Sequence, residues 1–132
     1  MPRAVLSEAQ IHPAIREKIS SNHRDIVDEV QAAIRQHRIV VVGMGINPFP
    51  RRACKALTAK GVPFHYLSYG SYLGMWRRRT ALKMWTGWPT FPMIFIDGMF
   101  IGGATDLQKL IEGGELDKLL SSPRATSAAQ LA

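Results

Sequence analysis

Isoleucine and valine return every fourth position in two stretches near the start of the chain, residues 11–19 and 26–34. This spacing places them on one face of a helix, so each stretch predicts an amphipathic α-helix. Pro13 suits the first turn of the first helix, where no backbone N–H is needed. Residues 20–22 offer side-chain caps for the second helix, and Asp25 falls in its first turn.

The next part of the chain alternates between strand and helix patterns. Residues 39–42 are all β-branched, which is typical of a strand buried on both faces. A helix is predicted over residues 48–60, a short strand over 63–67, and a further helix from residue 69 to Gly87.

A β-hairpin is predicted next, with strands over residues 92–96 and 99–101. The two residues between them, Asp97 and Gly98, are a sequence signal for a two-residue hairpin.

The last helix is predicted to begin after two glycines, Gly102 and Gly103. Thr105 and Gln108 lie three residues apart, as in a capping box. A glycine pair at residues 113–114 ends this helix, and residues 115–120 form one more short helical piece.

The core elements therefore follow the order β-α-β-α-β-β-α, which is typical of an α/β sandwich with a four-stranded mixed sheet. We expect residues 1–37 to be an N-terminal helical extension and residues 38–120 to form the core domain. Residues 121–132 are small and polar, and we expect a disordered tail there.

Composition narrows the class of protein. The 132 residues suffice for one domain and contain no apolar run of about 20 residues that could span a membrane. Glu8 and Gln10 interrupt the N-terminus, so no secretory signal is expected. The only cysteine is Cys54, which excludes an internal disulfide and favours a cytoplasmic protein.

The net charge of +7 favours anionic partners such as small acids or an acidic protein face. Arg77, Arg78 and Arg79 are consecutive, so on a helix they spread over about 200° rather than forming one stripe. No nucleic-acid-binding motif accompanies them, and we do not predict such a partner. The four histidines lack ligand spacing, and we expect neither a metal nor an iron–sulfur cluster.

Three motifs carry a family resemblance: WPTFP before the third strand, the Asp-Gly hairpin, and GGxTD after the fourth strand. With this order of elements, residues 38–120 resemble the glutaredoxin family, and these motifs are most similar to its monothiol branch. The resemblance implies a thioredoxin-like fold, a glutathione site and a cis peptide bond between Phe91 and Pro92.

The chain departs from this family where the reaction takes place. The resemblance puts Asn47 in the position of the nucleophilic cysteine, Pro50 in that of the second cysteine, and Met44 in that of a lysine that helps bind glutathione. Asparagine is a good N-cap for the following helix. Its amide cannot attack a disulfide, because thiol exchange requires a thiolate.

Cys54 is a poor substitute for the missing nucleophile. It lies about 10 Å further along the same helix, beyond the reach of the helix dipole, and among apolar neighbours. We expect a buried, inert thiol.

Six residues match the remainder of a glutathione site in the family. The resemblance assigns the backbone of Phe91 and Pro92 to the cysteinyl part of glutathione, and Arg79 to its glycyl carboxylate. The start of the last helix would hold the γ-glutamyl carboxylate, and the matching residues are Gly103, Thr105 and Asp106. Pure helix capping by Thr105 and Asp106, and a solvated surface position for Arg79, remain open.

Two functions are compatible with these features. The first is a redox-inactive binding or adaptor module that binds glutathione, an extended peptide or an acidic protein partner. The alternative is a glutathione-dependent thiol–disulfide oxidoreductase that works through Cys54 or through bound glutathione.

Overall fold

The computed structural model describes residues 3–43, 48–69 and 76–121, apart from the side chains of residues 48–50 and 76. The described elements follow the predicted order. The helices are α1 (Pro13–Ser21), α2 (Arg24–Gln36), α3 (Pro48–Ala59), α4 (Trp76–Thr86), α5 (Ala104–Glu112) and α6 (Glu115–Ser121). The strands are β1 (Ile39–Gly43), β2 (His65–Ser68), β3 (Met93–Ile96) and β4 (Met99–Gly102).

The strands form one mixed sheet in the order β2-β1-β3-β4. β1 pairs in parallel with β2 and antiparallel with β3, which pairs antiparallel with β4. Side chains of a strand alternate between faces, so β1 and β3 supply two separate clusters. Val40 and Val42 pack with α2 and α4, whereas Ile39 and Val41 pack with α3, α5 and α6. The predicted α/β sandwich is confirmed.

Helix α2 is part of the core, although its sequence was assigned to an extension. Five of its residues are buried, and they pack against the sheet and α4. Two polar contacts reinforce this packing: the Tyr69 hydroxyl donates to Glu29, and Arg78 pairs with Asp25. The proposed boundaries at residues 37 and 121 stay predictions.

The cap prediction for α2 was wrong. Ser20 and Ser21 belong to the last turn of α1, where both hydroxyls donate to the carbonyl of Glu17. His23, with a φ angle of 47°, occupies the N-cap position and makes no side-chain cap. The chain turns between two helices within two residues, so α1 uses the serines that α2 was expected to use.

Several predicted boundaries shift by a few residues. β3 begins at Met93 rather than Pro92, whose nitrogen carries no proton for the ladder. The expected start of α4 at residues 69–71 and the expected tail at 121–132 lie largely outside the described residues. Within the described ranges, no helix is both long and apolar enough to cross a membrane.

The hairpin turn joins three parts of the fold. Asp97 and Gly98 form the predicted two-residue hairpin, and their φ angles of 52° and 80° are typical of a type I′ turn. Both Asp97 carboxylate oxygens accept from Arg38, at 2.8 and 3.2 Å. The same guanidinium donates to the carbonyl of Leu119 at 2.7 Å. Arg38 thus links the start of β1, the hairpin and the end of α6.

We predict that Asp97→Asn lowers the free energy of unfolding by about 1–3 kcal/mol, because it removes a charge-assisted, partly buried pair. Asparagine tolerates the positive φ angle, so the turn itself is kept. Urea denaturation followed by circular dichroism measures the change. The control is Asp28→Asn, which breaks the exposed Arg24–Asp28 pair and should cost at most about 0.5 kcal/mol. Equal losses in both variants would contradict the structural role of the Arg38 contact.

Candidate functional site

The substituted thiol positions follow β1 in the sequence. Asn47 and Met44 lie outside the described residues. Pro50 falls in the first turn of α3, where only the backbone is described. The described part of this site therefore consists of the strand ends next to these positions.

The segment before β3 and the start of α5 lie next to each other, because Ile94 of β3 pairs with Gly102 of β4. The Phe91–Pro92 peptide bond is cis, and Phe91 is buried. A side chain at residue 103 would place its Cβ 3.5 Å from the carbonyl oxygen of Pro92. The structure thus brings Phe91, Pro92 and Gly103 together.

Asp106 caps its own helix. Its Oδ2 accepts from the backbone N–H of Gly103 at 2.9 Å, and Gly103 is the N-cap residue of α5. The predicted capping box of Thr105 and Gln108 was wrong, since the helix begins two residues earlier. Thr105 is exposed in the first turn, and Gln108 donates to Glu112.

A glycine N-cap has a consequence for binding. The first backbone N–H groups of a helix have no partner within the helix, and a cap side chain usually accepts from one of them. Gly103 has no side chain that could do so, and no side-chain cap is formed. The N–H groups of the first turn of α5 remain available to an external acceptor such as a carboxylate.

Two tryptophans pack beside this region. Trp85 stacks on Phe95 at 5.9 Å between ring centroids, and Trp88 meets Phe100 edge-on at 5.5 Å. The indole Nε1 of Trp88 is buried and has no hydrogen-bond acceptor among the described residues. This nitrogen would lie 3.9 Å from a Cβ at residue 103.

Arg79 lies beside the end of β2, on the side of β1 away from β3. Only 5% of its surface is exposed, and its Nη1 donates to the carbonyl of Tyr69 at 3.0 Å. Tyr69 follows β2, and its own N–H donates to the carbonyl of Gly43 at the end of β1. Arg79 is therefore a buried residue near the carboxyl end of β1, and not part of a solvated basic face.

The pairing of Tyr69 with Glu29 was missed by the sequence reasoning. The hydroxyl donates to the Glu29 carboxylate at 2.7 Å, and burial raises the pKa of Tyr69 well above its usual range. The two residues are 40 positions apart, and no sequence pattern signals their contact.

Cys54 is half-buried in the cluster on the α3 face of the sheet. Burial raises the pKa of its thiol, so the thiolate is scarcer than in an exposed cysteine. His37 and His65 stack face to face with centroids 4.1 Å apart. In the described ranges, no three histidine, cysteine or acidic side chains form a group that could hold a metal ion.

Comparisons with known proteins agree on one family. A family model described as Glutaredoxin matches residues 48–101. A glutaredoxin-like protein of Dictyostelium discoideum is 46% identical over 98 residues, which cover 74% of this chain and 80% of that protein. Glutaredoxin 4 of Haemophilus influenzae is 29% identical over 109 residues, which cover 79% and 99% respectively.

Solved structures show the same fold. The crystal structure of a buckwheat glutaredoxin–glutathione complex superposes with a TM-score of 0.68 at 22% identity, covering 76% of this chain and 92% of that one. At this identity the likeness establishes the thioredoxin-like fold and no more.

We predict that Cys54 reacts slowly with iodoacetamide near neutral pH, at least about fivefold slower than in the unfolded chain. The reason is the raised pKa of the thiol, which lowers the thiolate fraction in the folded protein. Mass spectrometry of samples quenched over time, with and without urea, measures the two rates. A folded-state rate equal to or above the unfolded rate would show an activated thiol instead.

Proposed function

The chain belongs to the glutaredoxin family, and we propose that it acts there as a redox-inactive module that binds glutathione or an extended peptide without a covalent bond. Acidic protein partners are compatible with its net charge of +7. A reducing compartment such as the cytoplasm suits a chain whose single cysteine forms no internal disulfide.

The start of α5 carries this proposal. Its glycine N-cap leaves backbone N–H groups free of side-chain acceptors, beside the carbonyl of Pro92. A carboxylate is the acceptor that suits such a helix start, because the N–H groups and the helix dipole both favour negative charge. The solved buckwheat relative, a complex with glutathione, supports this choice of ligand.

The chemistry of the chain favours binding over turnover. The resemblance puts Asn47 where the family has its nucleophile, and an amide has no thiolate form. The remaining thiol, Cys54, lies within the cluster on the α3 face and has a raised pKa. Both features weaken the alternative of an oxidoreductase that works through Cys54.

The expected affinity is low. Without a mixed disulfide, a flexible tripeptide must offset its lost freedom through a few charge-assisted hydrogen bonds, each contributing about 1.5–3 kcal/mol. We propose the start of α5 and Arg79 as the two carboxylate anchors. A dissociation constant near 1 mM, or about −4 kcal/mol, is the corresponding estimate.

We predict no reduction of hydroxyethyl disulfide by glutathione above the uncatalysed rate. The physical reason is the amide at position 47 and the raised pKa of Cys54. Cys54→Ser, assayed in parallel, separates the alternatives. Turnover that disappears in Cys54→Ser would establish Cys54 as the nucleophile. Turnover that survives in it would point to bound glutathione as the active thiol.

We predict that Thr105→Glu weakens glutathione binding about fivefold, because its carboxylate repels the ligand carboxylate at the start of α5. In the control Thr105→Gln, the glutamine has the shape of the glutamate without its charge. This variant should change the dissociation constant less than about twofold. Thr105 is exposed, and a glutamate in the first turn favours the helix, so neither variant should destabilise the fold. Amide chemical shifts during a low-salt titration measure binding. Equal affinities of the two variants would place the ligand elsewhere.

A further inference from the structure

Tyr69 makes hydrogen bonds to three different elements. Its N–H donates to the carbonyl of Gly43 in β1 at 2.8 Å, and its carbonyl accepts from Arg79 of α4 at 3.0 Å. Its hydroxyl donates to Glu29 of α2 at 2.7 Å. With only 5% of its surface exposed, Tyr69 is fixed at both its backbone and its ring.

These contacts restrict the position of Tyr69. The bond to Gly43 holds the peptide nitrogen against the end of β1, and the bond to Glu29 holds the ring against α2. The carbonyl of the residue held in this way is the acceptor for the Arg79 guanidinium. A tyrosine hydroxyl has an ordinary pKa of about 10, so it is a donor throughout the neutral range, and burial raises the pKa of Tyr69 further.

We propose that Tyr69 is a positioning residue for Arg79, and that the Glu29–Tyr69 hydrogen bond couples helix α2 to the carboxylate anchor on α4. This inference rests on the proposed function, in which Arg79 binds one ligand carboxylate. A long arginine side chain that is already oriented loses less conformational freedom when its ligand binds. The Tyr69 hydroxyl therefore contributes to affinity without touching the ligand.

The neighbouring contact between Asp25 and Arg78 is a second tie between the same two helices. It uses the residue before Arg79 and an exposed aspartate, so it does not act through the Tyr69 carbonyl. Asp25→Asn is thus a matched control, which loosens α2 from α4 and keeps both partners of the hydroxyl–Glu29 bond.

The experiment compares four variants by glutathione titration and by the Nε–Hε resonance of Arg79 in nitrogen-edited NMR spectra. Tyr69→Phe and Glu29→Ala each break the hydrogen bond and should raise the dissociation constant about three- to tenfold. Glu29→Gln keeps an acceptor for the hydroxyl and should stay within about twofold of the parent. Asp25→Asn should also stay within about twofold.

A double-mutant cycle decides whether Tyr69 acts through Arg79. In an Arg79→Ala background, Tyr69→Phe should change the dissociation constant less than about 1.5-fold, because the residue it positions is absent. An undiminished effect in that background would show a general structural role and overturn the proposal. A Glu29→Gln variant that binds glutathione as weakly as Glu29→Ala would also overturn the proposal. If Tyr69→Phe does not fold, the exposed Glu29→Ala substitution breaks the same bond from the side of α2 and takes its place in the cycle.

The two proposals fail in different ways. If the parent protein binds no glutathione, glutathione is not the ligand of the proposed function, but the Arg79 resonance still reports positioning without a ligand. A sharp Nε–Hε signal that broadens or shifts in Tyr69→Phe and not in Glu29→Gln would support the positioning role. A signal unchanged in Tyr69→Phe and Glu29→Ala would overturn it, whatever the ligand.

Discussion

The burial of β1 on both faces is the constraint on which the rest of the structure depends. All five of its residues are buried, and it pairs with a strand on each side. Such a strand must be covered by a helical layer on each face. Helices α2 and α4 form one layer, and α3 and α5 form the other. Its two ends are then the places where polar groups meet: Arg38 at the start and the Gly43 carbonyl at the end.

Those two ends have different roles. At the start of β1, Arg38 pairs with Asp97 and reaches the last turn of α6, which joins distant parts of the fold. At the other end, the carbonyl of Gly43 accepts from Tyr69, and the start of α5 lies close to Pro92. The first end stabilises the sandwich, and the second holds the backbone groups and the buried guanidinium that we propose as the binding site.

The frame can persist without its thiol because most of it consists of backbone groups. A helix start and a strand end bind a carboxylate or an extended peptide through N–H and C=O groups, which do not depend on the residue at position 47. Asparagine is in general a preferred helix N-cap residue. We propose that this chain has lost the reaction and kept the binding geometry.

The amino-acid sequence by itself determined the strands, the two-residue hairpin and the order of the layers, because periodicity and turn chemistry are local properties. Its motifs singled out Pro92 and Gly103, which the structure brings together. It misplaced two helix caps: the serines at residues 20–21 serve the end of α1 instead of the start of α2, and α5 begins two residues before the expected cap at Thr105. Only the tertiary structure decided that α2 belongs to the core and that Arg79 is buried beneath Tyr69. The Tyr69–Glu29 bond joins residues 40 positions apart, and such contacts arise only when packing brings separate elements together.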